Sequence, residues 1–189
     1  MISKNIKKFW EFLKKDSWSS WAVSAILVIF CIKFVFFPFL SLVTGTPLPI
    51  VVVESCSMYH KSPFNEWWKE NSAWYESRGI EKKDFEKFNM KNGLNKGDIV
   101  FIVGKNNYNN GEIIIFSSKT KYPLIHRIIS VNPLSTKGDN NPGQIDDLEK
   151  NISQDAVLGK AVGRIPLLGW LKLVFFEPLK EKSKRGFCK

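Results

Sequence analysis

The run from Trp21 to Val43, WAVSAILVIFCIKFVFFPFLSLV, constrains this chain more than any other feature. It holds 23 residues and a single charge, Lys33. At 1.5 Å per residue a helix of that length reaches about 34 Å, enough to cross a hydrocarbon core of about 30 Å. A buried core helix of this length would carry a polar stripe, and none is present. The apolar part of a cleaved signal peptide usually spans about 7–15 residues, and no A-x-A site follows; TGTPLP leads straight into another apolar segment. The run therefore predicts a retained transmembrane helix over 21–43. Lys4, Lys7, Lys8, Lys14 and Lys15 precede it against Glu11 and Asp16, and no charge lies between it and Glu54. The positive-inside rule then leaves the N-terminus in the cytoplasm and exports everything after about residue 44. Nothing in the sequence pairs with Lys33, which reads as a contact with lipid-associated water or a partner helix.

This topology interprets the composition. The 189 residues include 28 Lys+Arg against 18 Asp+Glu, a formal charge of +10. An exported domain does not meet the genome, so the excess reads as topology signal and membrane-surface affinity, with no nucleic-acid role. Three scattered cysteines predict neither a disulfide scaffold nor a zinc site, and two histidines exclude a multi-histidine metal centre. Neither a metal nor a cofactor is expected. The expected organisation is a cytoplasmic basic tail (1–20), the anchor (21–43), an exported β-rich domain (44–176) and a basic C-terminal tail (177–189).

The exported part shows short β-rich runs with turn residues between them: 49–55, 96–103, 111–118 after an NNYNNG turn, 123–131 and 158–165. With no helices alternating between the strands, the pattern predicts a mostly β fold, an antiparallel sheet. Residues 60–95 interrupt it. Phe64, Trp67, Trp68, Asn71, Trp74 and Tyr75 recur at helical spacing, and Phe85, Phe88 and Met90 suggest a shorter second helix. This helical insertion either docks on lipid through its tryptophans or caps its own β domain. Ile165–Phe176 is too short to span and carries Lys172, which makes it an interfacial or core segment.

Chemistry concentrates in three places. Ser55-Cys56-Ser57-Met58 ends the first run, His126 lies within PLIHRIISV, and the acidic segment KGDNNPGQIDDLE follows. A serine needs a nearby base to become a nucleophile, histidine titrates in the right range, and a carboxylate can fix its tautomer. The order of these boxes resembles the type I signal peptidases, membrane-bound serine proteases that remove signal peptides. SCSM is similar to the family's S-G-S-M box, KGDIVFI to its R-G-D-hydrophobic strand and IHRI to its base box. KGDNN with Asp146-Asp147 is similar to its acidic box, and GKAVGRIPLLG to its closing strand. His126-Arg127, in place of Lys-Arg, resembles the archaeal and endoplasmic-reticulum type.

The resemblance implies a signal-peptidase-like β domain with Ser57 as nucleophile, His126 as general base and Asp147 as the carboxylate of the triad. It makes Asp139 and Asp146 supporting carboxylates and Ser55 an oxyanion donor beside the Ser57 N–H. It implies preproteins as substrates, cleaved after a small-x-small motif, shallow pockets lined by 49–55 and 123–131, and association with the lipid bilayer and secretion machinery. The sequence departs from the pattern at Cys56, where the family has glycine, and at His60, where it usually has proline. It departs again in an acidic box longer by about two residues, so that Asp146 and Asp147 could exchange roles, and in the long stretch 60–95.

Alternatives on the same residues are Cys56 as nucleophile, His60 as base and a calcium loop at 138–147, which lacks the spaced D-x-D-x-D-G pattern. Strand alternation would put Cys56 on the face opposite Ser57, as a small packer, and Glu54 away from the site; His60 is expected to be solvated. Two further readings of the chain are a catalytically inactive family member that binds preproteins and a self-cleaving repressor-type Ser-Lys protease. The latter should carry a Lys base and a DNA-binding segment, and neither is evident.

Overall fold

The computed structural model of the chain describes all residues except Met1, Lys105, Asn106 and Lys121, and leaves aside the side chains of Ile2 and Ser3. The first residue of the expected basic tail and the start of the NNYNNG turn thus lie outside the described residues. The chain divides into two compact units, 1–43 and 44–189.

In the first unit, α1 (Ile2–Leu13) turns part of the expected tail into an amphipathic helix. Ser17 caps the second helix, accepting from the Ser20 N–H. That helix runs continuously over 27 residues, Trp18–Thr44, and is long and apolar enough to cross a membrane. It comprises α2 (Trp18–Cys31), a π-helical turn (Ile32–Phe36) and α3 (Phe37–Thr44). Pro38 explains the widened turn: it has no N–H for the carbonyl four residues back, and the ladder re-forms one residue wider. Lys33 sits in that turn, its ammonium 5.4 Å from the Phe34 ring centre.

The second unit is built on a six-stranded, wholly antiparallel sheet. Its strands are β1 (Ile50–Val52), β2 (Ile99–Val103), β3 (Ile113–Phe116), β4 (Leu124–Val131), β5 (Leu134–Lys137) and β6 (Val157–Ile165), in the order β1-β2-β6-β3-β4-β5. Four of these fall within the expected runs, and β6 begins one residue ahead of its run. The sixth, β5, was not expected; LSTK has no apolar alternation and completes a hairpin through the Asn132–Pro133 turn. The run IIIF of β3 is buried on both faces. Ile113 and Ile115 join Val53, Met58, Leu94, Val100 and Ile102 in one core, while Ile114 and Phe116 join Ile128 and Leu134 in another. That is why it shows no polar alternation.

The expectation of a mostly β fold is not met, since strand accounts for 19% and helix for 40%. The anchor, α1 and the insertion supply most of that helix. Within the insertion lie α4 (Phe64–Glu76) and the single turn α5 (Lys82–Phe85). Trp67, Trp68, Tyr75, Ile80 and Phe85 are buried together against Ile129 of β4. The insertion is thus a cap on its own sheet, and Trp67 and Trp68, 2% and 5% exposed, are withdrawn from any lipid surface.

Candidate active site

A flat sheet would hold β1 and β4, four positions apart, about 19 Å from each other. Irregular register between β2 and β6, between β3 and β6, and between β4 and β5 marks bends, because an extra residue on one strand kinks the ladder and increases its twist. The curled sheet brings the turn after β1 against β4. Met58, fully buried, plugs that turn into the core. The Asn140 N–H donates to the Ser57 carbonyl at 2.7 Å, and the Asn140 side chain donates to the Cys56 carbonyl at 3.1 Å.

Ser57 Oγ lies 2.9 Å from His126 Nε2. On the other side of the ring, His126 Nδ1 lies 2.5 Å from Glu149 Oε1, a close contact that falls short of hydrogen-bond alignment. Glu149 is fully buried at the end of α6 (Asp146–Glu149). It is oriented by the N–H of Gly138 (3.1 Å) and of Ile145 (2.6 Å). Ser55 Oγ stands 3.2 Å from Ser57 Oγ. Among the described residues the Ser57 N–H has no hydrogen-bond partner. Gly138 presses on the pair: a Cβ there would come within 2.9 Å of His126 Nε2 and 2.8 Å of the Ser57 carbonyl oxygen. A nucleophile-type hydroxyl, an imidazole and a buried carboxylate in line are the parts of a Ser-His-acid triad.

The structure therefore brings together Ser57, His126 and Ser55, and substitutes Glu149 for the expected acid. Asp147 does not reach the ring; Asp146 and Asp147 are both exposed on α6, with Asp146 paired to Lys150. One turn of helix puts the acid facing the sheet at Glu149. The residue was present in the acidic segment, but only the burial of α6 distinguishes it from its neighbours.

Asp139 is buried and serves the fold around the site. Arg127 grips it through Nε and Nη2 (2.9 and 2.7 Å), with His60 Nε2 at 3.0 Å and the Tyr75 hydroxyl donating at 3.2 Å. Arg127 also donates to the carbonyls of Asn89, Met90 and Gly111. Burial pushes the Asp139 carboxyl up, but the Arg127 charge and the His60 hydrogen bond outweigh it and hold the group well below the carboxylate range. His60 is accordingly not solvated: it stacks on Trp67 at 3.7 Å, and burial lowers its pKa from the usual imidazole value against the pull of Asp139. It does not replace His126.

Two sequence expectations about Cys56 also change. The strand ends at Val52, so residues 55–58 form a turn and alternation does not apply. Glu54 is instead exposed and paired with Lys172 and Lys180. Cys56 is disulfide-bonded to Cys188, not the free packing cysteine expected, and this removes it as a nucleophile. A 132-residue separation hid the pairing from the sequence. Cys56 has no positive φ, so a side chain at this position is not strained. Among the described residues no cluster of His, Cys, Asp or Glu could hold a metal.

No protein-family model matches this chain, and no curated protein is detectably similar to it.

Proposed function

We propose that the chain is a membrane-anchored serine endopeptidase of signal-peptidase type, cleaving exported preproteins. The observation that carries this reading is the line Ser57 Oγ, His126 Nε2, His126 Nδ1, Glu149 Oε1, with contacts of 2.9 and 2.5 Å. Ser57 Oγ attacks the scissile carbonyl as its proton passes to His126 Nε2; this requires the tautomer with Nδ1–H toward Glu149, whose carboxylate then stabilises the imidazolium. The Ser57 N–H and the Ser55 hydroxyl meet the oxyanion. His126 returns the proton to the leaving amine, and water hydrolyses the acyl-enzyme through the same base.

Substrate binding as an extended strand is supported by two open edges that flank the serine. Among the described residues β1 pairs with β2 alone. β5 pairs with β4 only from Arg127 onward, leaving Leu124, Ile125 and His126 without a described strand partner on that side. A peptide laid between them can take up main-chain hydrogen bonds from either edge. Membrane residence is supported by the 27-residue apolar helix, and an exported peptidase unit by the lysine-flanked N-terminus and by the disulfide, which persists in oxidising compartments. Leu167, Leu168, Leu171, Val174 and Phe175, all more than 40% exposed, are the surface of the exported unit best suited to lipid.

The test is cleavage of a preprotein by the purified full chain in detergent. Ser57→Ala and His126→Ala should each lower the rate by about 10³-fold or more, and His60→Gln should retain base function. Full cleavage by Ser57→Ala defeats the reading.

A further inference from the structure

The one covalent cross-link of the described residues ends beside the proposed nucleophile. Cys56 precedes Ser57 directly, and its partner Cys188 is the second-to-last residue. The tail that carries Cys188 is led to this place by contacts of its own. The Lys96 ammonium, buried, donates to Glu177 Oε2 and to the Lys184 carbonyl, both at 2.7 Å. The Gly186 N–H donates to Glu177 at 2.8 Å, and Phe187 packs on Trp170 with ring centres 4.4 Å apart. Lys96 and Trp170 belong to the body of the domain, so the tail is folded onto it rather than trailing as the basic extension expected from the sequence. On the nucleophile side, Glu54 and Ser55 are exposed; Lys180 of the tail reaches the Glu54 carbonyl at 3.4 Å, and the described hydrogen bonds to the carbonyls of 55–58 come from Asn140, Leu94 and the turn itself.

We propose that Cys188 is a positioning residue for the nucleophile turn. Bonded to Cys56, it holds residues 55–57 where Ser57 Oγ meets His126 and where the Ser55 hydroxyl and Ser57 N–H share one oxyanion. The disulfide thereby makes the competence of the site depend on the thiol redox state of its surroundings. Both cysteines are half-buried, within reach of a small dithiol. In the switching step the dithiol is oxidised to its cyclic disulfide, and its two electrons and two protons convert Cys56–Cys188 to two thiols; oxidised glutathione reverses this. The tail then keeps only its non-covalent contacts, and the turn loosens on one side. Displacement of a reacting atom by about 1 Å is enough to cost on the order of 10²-fold in rate.

This inference rests on the endopeptidase reading for its kinetic arm only. The full chain in detergent is compared oxidised, reduced with dithiothreitol, and as Cys188→Ser. Three readouts are taken: preprotein cleavage, amide exchange of residues 55–59, and the near-ultraviolet circular dichroism of the buried tryptophans. Reduction is expected to lower kcat by about 10- to 100-fold with KM changed by less than about threefold. It should speed exchange at 55–59, leave the tryptophan signal intact and reverse on reoxidation. Cys188→Ser should match the reduced protein and ignore dithiothreitol. Unchanged kcat and exchange after verified reduction overturn the proposal, as does loss of the tryptophan signal together with activity, which would make the bond a staple of the whole domain. If the oxidised chain fails to cleave or to react with a fluorophosphonate at Ser57, the endopeptidase reading fails, and exchange at 55–59 alone decides the positioning role.

Discussion

At the scale of single residues, the acid behind His126 is the point most open to direct measurement. Glu149 touches Nδ1 and is pinned by two backbone N–H groups, whereas Asp146 and Asp147 face solvent. Glu149→Gln keeps the shape but not the charge, and should lower kcat by roughly 10²–10⁴-fold with little change in KM, as when a triad carboxylate is neutralised. Asp147→Asn and Asp146→Asn should each stay within about twofold in the same cleavage assay. Ser55→Ala removes the proposed oxyanion donor and should cost about 10²–10³-fold in kcat. Glu149 also shows the limit of reading boxes: three acids lie within four residues, and which one is buried depends on how α6 meets β5.

Among elements, the Arg127–Asp139–His60–Tyr75 network ties the insertion to the sheet, since Arg127 and Asp139 come from β4 and the loop after β5, and His60 and Tyr75 from the insertion. Asp139→Asn leaves Arg127 buried without its counter-ion and should destabilise unit 44–189 by about 3–5 kcal/mol, read by denaturant titration of the tryptophan signal. The same groups set the acid response. The folded pKa of Asp139 lies below its unfolded value near 3.9, so its contribution is present above about pH 4 and lost as the pH falls toward the folded value. His60 is also lowered in the fold, so its contribution is present above about pH 6.5 and fades on acidification below it. Stability should therefore fall in two stages on acid titration, and His60→Gln should remove the upper one. Helical spacing reveals α4, because Phe64, Trp67, Trp68, Asn71, Trp74 and Tyr75 recur near i, i+3, i+4 and i+7. Whether that face met lipid or protein was decided by β4, whose Ile129 completes the cluster.

For the whole molecule, the exposed apolar surface of unit 44–189 is concentrated on 165–179, whereas Trp67 and Trp68 of the insertion are buried. In α7 (Trp170–Phe176) only Leu173 is fully buried; Leu171 and Phe175 are 74% and 76% exposed. Leu171→Ser with Phe175→Ser should weaken vesicle binding of residues 44–189 by about tenfold or more, since each loses about 1.5–3 kcal/mol of burial. Trp67→Ser should instead lower the stability of the unit and leave the affinity of its folded fraction unchanged. Both are read by vesicle co-sedimentation with and without denaturant controls.

One part of this protein follows from local composition and period. The apolar helix follows from 23 nearly uncharged residues, most of the strands from β-rich runs bounded by turns, α4 from its aromatic spacing, and Ser57 with His126 from the order of short motifs. Tertiary structure alone decided what depends on distant segments meeting. The curl of the sheet set Ser57 against His126, the burial of α6 chose Glu149 over Asp147, the cap drew His60 and the tryptophans inside, and the folded tail joined Cys188 to Cys56. Local patterns reflect the conformational preferences of neighbouring residues, whereas burial and pairing arise from contacts between segments up to 132 residues apart, whose geometry no window of sequence contains.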